Sequence, residues 1–233
     1  MKAVEAGASA RRAFSRRLLA WYRRHGRDLP WRRTRDPYRV LVSEVMLQQT
    51  QVSRVIPKYR EWLRRYPSLE ALAAAPAGEV REAWYPLGYN IRPRRLQTIA
   101  RIVVRRHGGR LPGTRDGLLS LAGIGAYTAG AVLSFAFGRD AAVLDTNVRR
   151  VLRRVWVGDH RRVGDRALWD LAERLLPRGR AYDFNQALMD LGATVCTARR
   201  PRCDACPLAG MCASYPLTAP SRGIRSPRTA PRP

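Results

Sequence analysis

The only cysteines of this 233-residue chain, Cys196, Cys203, Cys206 and Cys212, stand in one short stretch spaced C-x6-C-x2-C-x5-C. Thiolates this close in sequence converge on one metal centre more readily than they staple distant elements, so the pattern reads as a ligand loop. Zinc ribbons and treble-clef sites usually show two C-x2-C knuckles, and this segment has one. The spacing therefore favours a 4Fe-4S cluster over the alternatives of zinc or two disulfides. Arg199, Arg200, Pro201, Arg202 and Pro207 surround the ligands with a short basic loop suited to lie against phosphate.

Charge points to the same partner. Lys+Arg 44 against Asp+Glu 18 leaves a net charge of +26 and a pI near 11.5, as expected of a chain that lies along a polyanion such as nucleic acid. Only Lys2 and Lys58 are lysines. Arginine binds phosphate bidentately and stacks on bases; a genomic bias would account for the preference but not for the charge. No apolar run approaches the roughly 20 residues of a membrane span, and residues 1–13 lack the apolar core of a signal peptide. A soluble, intracellular, nucleoid-associated protein with reduced thiols is expected, as a monomer with no membrane partner.

The apolar periodicity is helical almost throughout, and no β pattern competes with it. Phe14, Leu18, Leu19 and Tyr22 form a stripe ended by Gly26; Val52, Val55, Ile56, Tyr59, Trp62, Leu63 and Tyr66 form another ended by Pro67. Leu96, Ile99, Ile102 and Val103 form a third, closed by Gly108 and Gly109. Further helices are predicted over 129–137, 148–156, 167–176 and 184–195. From Leu217 the composition turns to Pro, Arg, Ser and Thr, which predicts a disordered tail.

Three motifs carry candidate chemistry. Leu121 to Thr128 contains Gly123-Ile124-Gly125 between two short apolar helices, a helix-hairpin-helix signature. Its glycines let backbone approach a phosphate at the positive end of the next helix, although an ordinary helix–helix turn uses the same residues. Asp145 ends the apolar run 141–144 and begins a helix, so it reads as an N-cap. A carboxylate held there is expected to keep a low pKa and to suit a developing cation. Upstream, Asp36 caps and Pro37 begins a helix in which Glu44 is the one charged residue of the stretch 40–52. Desolvation would raise its pKa and make it a general acid near neutrality; the bland reading is a solvated helix glutamate. Together Glu44 and Asp145 suggest a divided acid and anion of the kind that breaks glycosidic bonds.

Over residues 14–215 the sequence resembles the MutY-type adenine DNA glycosylases of the helix-hairpin-helix superfamily. The resemblance rests on the blocks Asp28 to Arg32, Ser43 to Val52, the hairpin, Asp145 to Val148, Phe184 to Ala193 and the cysteine loop. It implies an all-α, two-lobed fold: residues 1–30 packing on the cluster domain, a six-helix domain over 31–137, a cluster domain over 138–215 and a basic tail over 216–233. Double-stranded DNA with a mispair would lie across the cleft, with the target base flipped into it.

Carried over position by position, the resemblance makes Glu44 the acid that protonates adenine and later handles the attacking water. Asp145 would stabilise the sugar cation, with Tyr127 and Asn147 as its hydrogen-bonding supports. Arg27, Trp31, Leu47 and Gln186 would line the base pocket, although core packing also explains Trp31 and Leu47. Gln48 and Tyr89 would enter the duplex, and Gly123, Gly125 and Thr128 would meet its backbone. The implied activity is monofunctional removal of adenine opposite guanine or 8-oxoguanine, without strand cleavage, because the position where nicking relatives carry a lysine holds Tyr127.

Three departures stand out. After Tyr215 this sequence shows only a short Pro/Arg tail, where the resemblance leads one to expect an 8-oxoguanine-recognition domain; in this it looks closer in architecture to the thymine mismatch glycosylases of the same superfamily, which lack an acid at Glu44. Residues 88–95 carry Pro93 and lack a second aromatic, and Thr146 stands where a glycine is common. A glycosylase for thymine, uracil or a deaminated purine is thus one alternative reading, and a non-catalytic damage-binding module another.

Overall fold

A computed structural model describes residues 7–88, 91–159 and 161–217; the expected disordered tail beyond Leu217, and Tyr89, lie outside them. The described residues are helical with no strand, in line with the all-α expectation.

The helices are α1 (Ala8–His25), α2 (Pro37–Leu47), α3 (Val52–Arg65), α4 (Leu69–Ala74), α5 (Ala77–Trp84) and α6 (Ile91–His107), followed by α7 (Arg115–Leu119), α8 (Ala126–Phe135), α9 (Thr146–Leu152), α10 (Asp165–Leu175) and α11 (Ala181–Thr194). Local chemistry sets several starts. Asp36 accepts the Arg39 N–H at 2.8 Å ahead of Pro37, whose missing N–H is no loss in a first turn. Ser68 and Thr114 cap α4 and α7 in the same way. Pro93 is likewise tolerated because it falls in the first turn of α6.

Two hydrophobic cores result. One gathers α2 to α8 around Trp62 and Trp84, whose rings meet edge to face at 5.4 Å. The other joins Phe14, Leu18 and Trp21 of α1 to α9, α10, α11 and Leu208 of the cysteine loop. Chain continuity therefore does not decide membership: α1 is first in sequence, but its apolar stripe packs on α11.

The connections crossing between the cores are pinned by charge. Asp190 of α11 is fully buried and accepts hydrogen bonds from the Arg27 backbone N–H and Nε and from both terminal nitrogens of Arg32, at 2.7–2.9 Å. Burial pushes the Asp190 carboxyl up, but the hydrogen bonds and charge of Arg32, helped by Arg27, outweigh it and hold the group below the usual carboxylate range.

Two expected helices are revised. The stretch 40–52 is not continuous: α2 stops at Leu47, Gln49 takes φ 54°, and α3 starts at Val52. The cause is Arg92, a buried guanidinium that donates through Nη1 to the carbonyls of Val45, Met46 and Gln48 at 3.1, 3.0 and 2.5 Å. Those terminal carbonyls are satisfied without another turn of helix. The helix expected over 148–156 likewise ends at Leu152 and widens into a π turn over Arg153–Val157. No described helix is long and apolar enough to cross a membrane.

Candidate active site

A cleft of about 810 Å³ opens between the two cores. Glu44, Tyr127, Asp145, Asn147, Arg27, Trp31, Leu47, Gln48 and Gln186 all line it, although they come from five separate segments of the chain.

Glu44 enters from α2, where eight of the eleven residues are buried, and is itself 2% exposed. Burial raises its carboxyl to about 7; the Tyr127 hydrogen bond pulls it down, and the field of Asp145 adds to the rise. The Tyr127 hydroxyl, carried across by α8, donates to Glu44 Oε2 at 2.5 Å. That bond engages Oε2, and with its carboxyl near 7 the acid exists in both protonation states around neutrality. Burial and the Glu44 charge push the Tyr127 phenol well up, so it stays a neutral donor.

Asp145 caps α9 as expected: Oδ1 accepts the Val148 N–H at 2.6 Å and Oδ2 accepts Asn147 Nδ2 at 3.0 Å. Two expectations need correction here. The carboxyl is not held low: burial raises it above the usual carboxylate range, and the hydrogen bonds of Val148 and Asn147 recover only part of that. Tyr127 is not a support of Asp145; α8 packs on α2, and this places the phenol on Glu44.

Thr128 is also corrected. It is 3% exposed, because eight of the ten residues of α8 are buried, so its side chain cannot meet a duplex. Gly123 and Gly125 do lie on the exposed hairpin, where Gly123 takes φ 96°, open to glycine at no steric cost. The Arg95 side chain lies over that turn, within 3.3 Å of where a Cβ on Gly123 would stand.

Several residues of the site went unread in the sequence. Arg150 donates through Nη2 to Asn147 Oδ1 at 2.8 Å and to the Gly192 carbonyl at 2.7 Å, and through Nε to the Cys196 carbonyl at 2.8 Å. It thereby fastens the support of Asp145 to α11 and to the first cysteine. Gly192 permits this approach, since a Cβ there would come within 2.7 Å of Asn147 Cβ. Arg150 sits among Arg149, Arg153 and Arg154, which look alike in sequence. Asp190 did offer a signal: like Glu44, it is a lone acid in an apolar helical stretch.

The four thiols, all free, ring one small apolar cavity. No three His, Cys, Asp or Glu side chains among the described residues converge as a single ion requires. Arg154 approaches the first thiol from the π turn, with Nη1 3.6 Å from Cys196 Sγ and hydrogen bonds to the Thr197 and Ala198 carbonyls. An all-thiol ring with a cationic neighbour fits an anionic thiolate-ligated cluster. Bound there, the cluster supplies iron–thiolate bonds that cross-link residues 196–212, and a redox-active centre.

Residues 42–174 match the HhH-GPD superfamily base excision DNA repair protein family, and residues 196–212 match the iron-sulfur binding domain of endonuclease III. The chain belongs to the HhH-GPD superfamily, and its cysteine loop is that of a 4Fe-4S protein. Adenine DNA glycosylase of Homo sapiens is 48% identical over 217 residues, 86% of this chain and 39% of that protein. Thymine/uracil-DNA glycosylase of Methanothermobacter thermautotrophicus is 37% identical over 208 residues, 88% of this chain and 94% of that one. The solved structure of a thermostable thymine-DNA glycosylase superimposes with a TM-score of 0.85 at 36% identity, covering 91% and 99% of the two chains. This chain spans about two-fifths of the length of the mammalian relatives it matches.

Purified protein should be brown and contain about four irons per chain. One zinc and no iron by elemental analysis would overturn that expectation. Cys203→Ser should lower the melting temperature and iron content together.

Proposed function

We propose that this protein is a DNA glycosylase that flips adenine out of a mispair with guanine or 8-oxoguanine and hydrolyses its N-glycosidic bond. The observation that carries the reading is the buried acid Glu44, poised near 7, in one cleft with the capped carboxylate Asp145. A purine offers N7 to such an acid. Glu44 gives its proton to N7 as the C1′–N9 bond breaks and its electron pair leaves with the base. Asp145 faces the cation left at C1′; water adds there, and its proton returns to Glu44. A pyrimidine has no equivalent ring nitrogen, which is why an acid in this place favours adenine over thymine or uracil.

Trp31, Leu47 and Gln186 are read as the walls of the base pocket, with Arg27 held toward it by Asp190, and Gln48 as a residue of the duplex interface. Cys196, Cys203, Cys206 and Cys212 are read as the cluster ligands. The separate cores support two lobes, 31–137 and 138–215, the second completed by α1. Duplex DNA is the partner, which the net charge of +26 favours.

A panel of duplexes, each with one mispair, tests the reading through alkali-labile sites formed after incubation. Cleavage confined to adenine opposite guanine or 8-oxoguanine is expected. Excision of thymine or uracil would replace the substrate, and no excision from any duplex would leave only a binding module.

The product strand should stay intact until treated with alkali. Nicking through a Schiff base needs an unprotonated amine at the sugar, and no lysine lines the cleft among the described residues. Lys58 lies on α3 and pairs with Glu61 at 2.8 Å, and arginine does not serve as an amine nucleophile. Borohydride trapping of a protein–DNA adduct at a yield comparable to turnover would refute this.

A further inference from the structure

The cleft leaves one strongly charged surface unused. Along α1, Arg12, Arg16, Arg17, Arg23 and Arg24 are exposed, and among the described residues none of them is hydrogen-bonded or ion-paired. The helix holds no acid to neutralise them. Exposed arginine is common on this chain, and α6 also lacks an acid, but there Arg101 and Arg105 donate to the carbonyls of Ala73 and Arg101 at 3.1 and 3.4 Å. On α1 the cations stand in a row. Arg12, Arg16 and Arg23 fall within about 40° of one another around the helix and span about 16 Å along it, close to five phosphate steps of one DNA strand. Arg12 and Arg16, four apart, repel each other, a cost that an anion laid along the row removes.

The row is firmly mounted and lies outside the cleft. Phe14, Leu18 and Trp21 on the opposite face of α1 are buried in the second core, and the Arg17 guanidinium passes 3.6 Å from where a Cβ on Gly210 of the cysteine loop would stand. Only the C-terminal end of α1 comes near the site: Arg27, just beyond it, lines the cleft, and no described residue of the helix does. At the other end Arg11 donates to the Arg174 carbonyl of α10 at 3.4 Å. Glu173 and Leu176, beside it, line a separate groove together with Leu133, which lies toward the opposite end of α8 from Tyr127. Arg12 is about 20 Å along the helix from His25, on the flank of the second core.

We propose that the arginine row of α1 is a second DNA-binding surface, which holds the backbone of another duplex segment while the cleft holds the first, so that the protein passes directly from one to the other. The proposal goes beyond the excision chemistry and takes from it only that the cleft binds duplex. Guanidinium groups on one helical face make charge-assisted hydrogen bonds to phosphate whatever the sequence, which is what a surface for undamaged DNA requires. Direct passage also spares a protein of net charge +26 the full release of its phosphate contacts, a step that is least favourable at low salt.

The test follows release of the full chain, with its cluster, from a labelled short duplex as the concentration of unlabelled duplex is raised. Free dissociation is independent of competitor, whereas direct transfer makes the observed rate rise with it. Wild type should show that rise, and its slope should fall about tenfold in Arg12→Gln/Arg16→Gln/Arg23→Gln, with affinity for a single short duplex and excision from a mispair within about twofold of wild type. A control, Arg105→Gln/Arg106→Gln/Arg110→Gln, removes the same charge from exposed positions at and just beyond the end of α6 and should keep the slope. Glutamine is a good helix former and all six sites are exposed, so both triple variants should fold. A wild-type rate independent of competitor, or an equal loss of slope in the control, would overturn the second surface. So would a large fall in affinity for the single duplex in the α1 variant, since that places α1 within the footprint of the first duplex. Acceleration by single-stranded RNA but not by duplex DNA would give the row to another partner and refute the proposal. If no duplex yields a free base while the slope behaves as expected, the glycosylase reading falls and the second surface stands.

Discussion

Glu44→Gln should leave duplex binding close to wild type and lower single-turnover excision of adenine by about 10²–10⁴-fold, the usual contribution of a positioned general acid. Glutamine preserves the shape and can still accept from Tyr127, but it has no proton of suitable acidity to give. Wild-type enzyme should show the same dependence through pH. With Glu44 raised to about 7, the competent acid is present below that pH and its fraction falls tenfold per unit well above it. The limb should vanish in Glu44→Gln, and retention of wild-type excision by that variant would remove Glu44 from the mechanism.

The same shift also makes folding stability depend on pH, and in the same direction as catalysis. The folded-state value lies above the usual glutamate value of 4.5, so the folded protein binds this proton more tightly than the unfolded chain. The stabilisation is complete below about 4.5 and is lost as pH rises through about 7, amounting to about 3 kcal/mol for a shift of this size. Glu44→Gln should therefore raise the melting temperature at pH 8 and have little effect at pH 4. An equal effect at both would mean that the carboxylate is better solvated than its burial implies.

Asp145→Asn should lower excision by about 10²–10³-fold, because the amide offers no charge to the cation forming at the sugar. Affinity for duplex should hold or improve, since an anion is removed from a surface that meets phosphates. Asparagine is itself a good cap and can keep the Val148 bond. Its amide nitrogen would then face the Asn147 side-chain donor where Oδ2 now accepts, at a cost of about 1 kcal/mol. A variant that binds, folds and excises like wild type would exclude Asp145 as the stabilising charge. A drop in excision matched by a drop in iron content would instead place the defect in the frame that Arg150 builds between Asn147 and Cys196.

Much was decided by local chemistry. Helix starts at Asp36 and Asp145 follow from capping groups beside them, and the ends of α1, α3 and α6 from the residues that interrupt their stripes. The all-α class, the cysteine loop and the candidacy of Glu44 and Asp145 were legible because each depends on residue type and short-range spacing. What stayed hidden depends on which face of a helix meets which neighbour. Tyr127 reaches Glu44 rather than Asp145, Thr128 turns inward, and the helix after Glu44 breaks because an arginine 48 positions along the chain takes its terminal carbonyls. Sequence spacing carries no information about such pairings.

By itself, then, the sequence determined what the parts could be: a thiol loop, a hairpin turn, a capped carboxylate, a lone acid in apolar company and a cationic surface. The tertiary structure alone decided how they act on one another. It brought Glu44 and Asp145 into one cleft and let burial raise both, although the cap had suggested a low value for the second. Desolvation grows with all the neighbours that exclude water, most of them distant in sequence, so a proton affinity belongs to the packed site and not to the residues on either side of the acid.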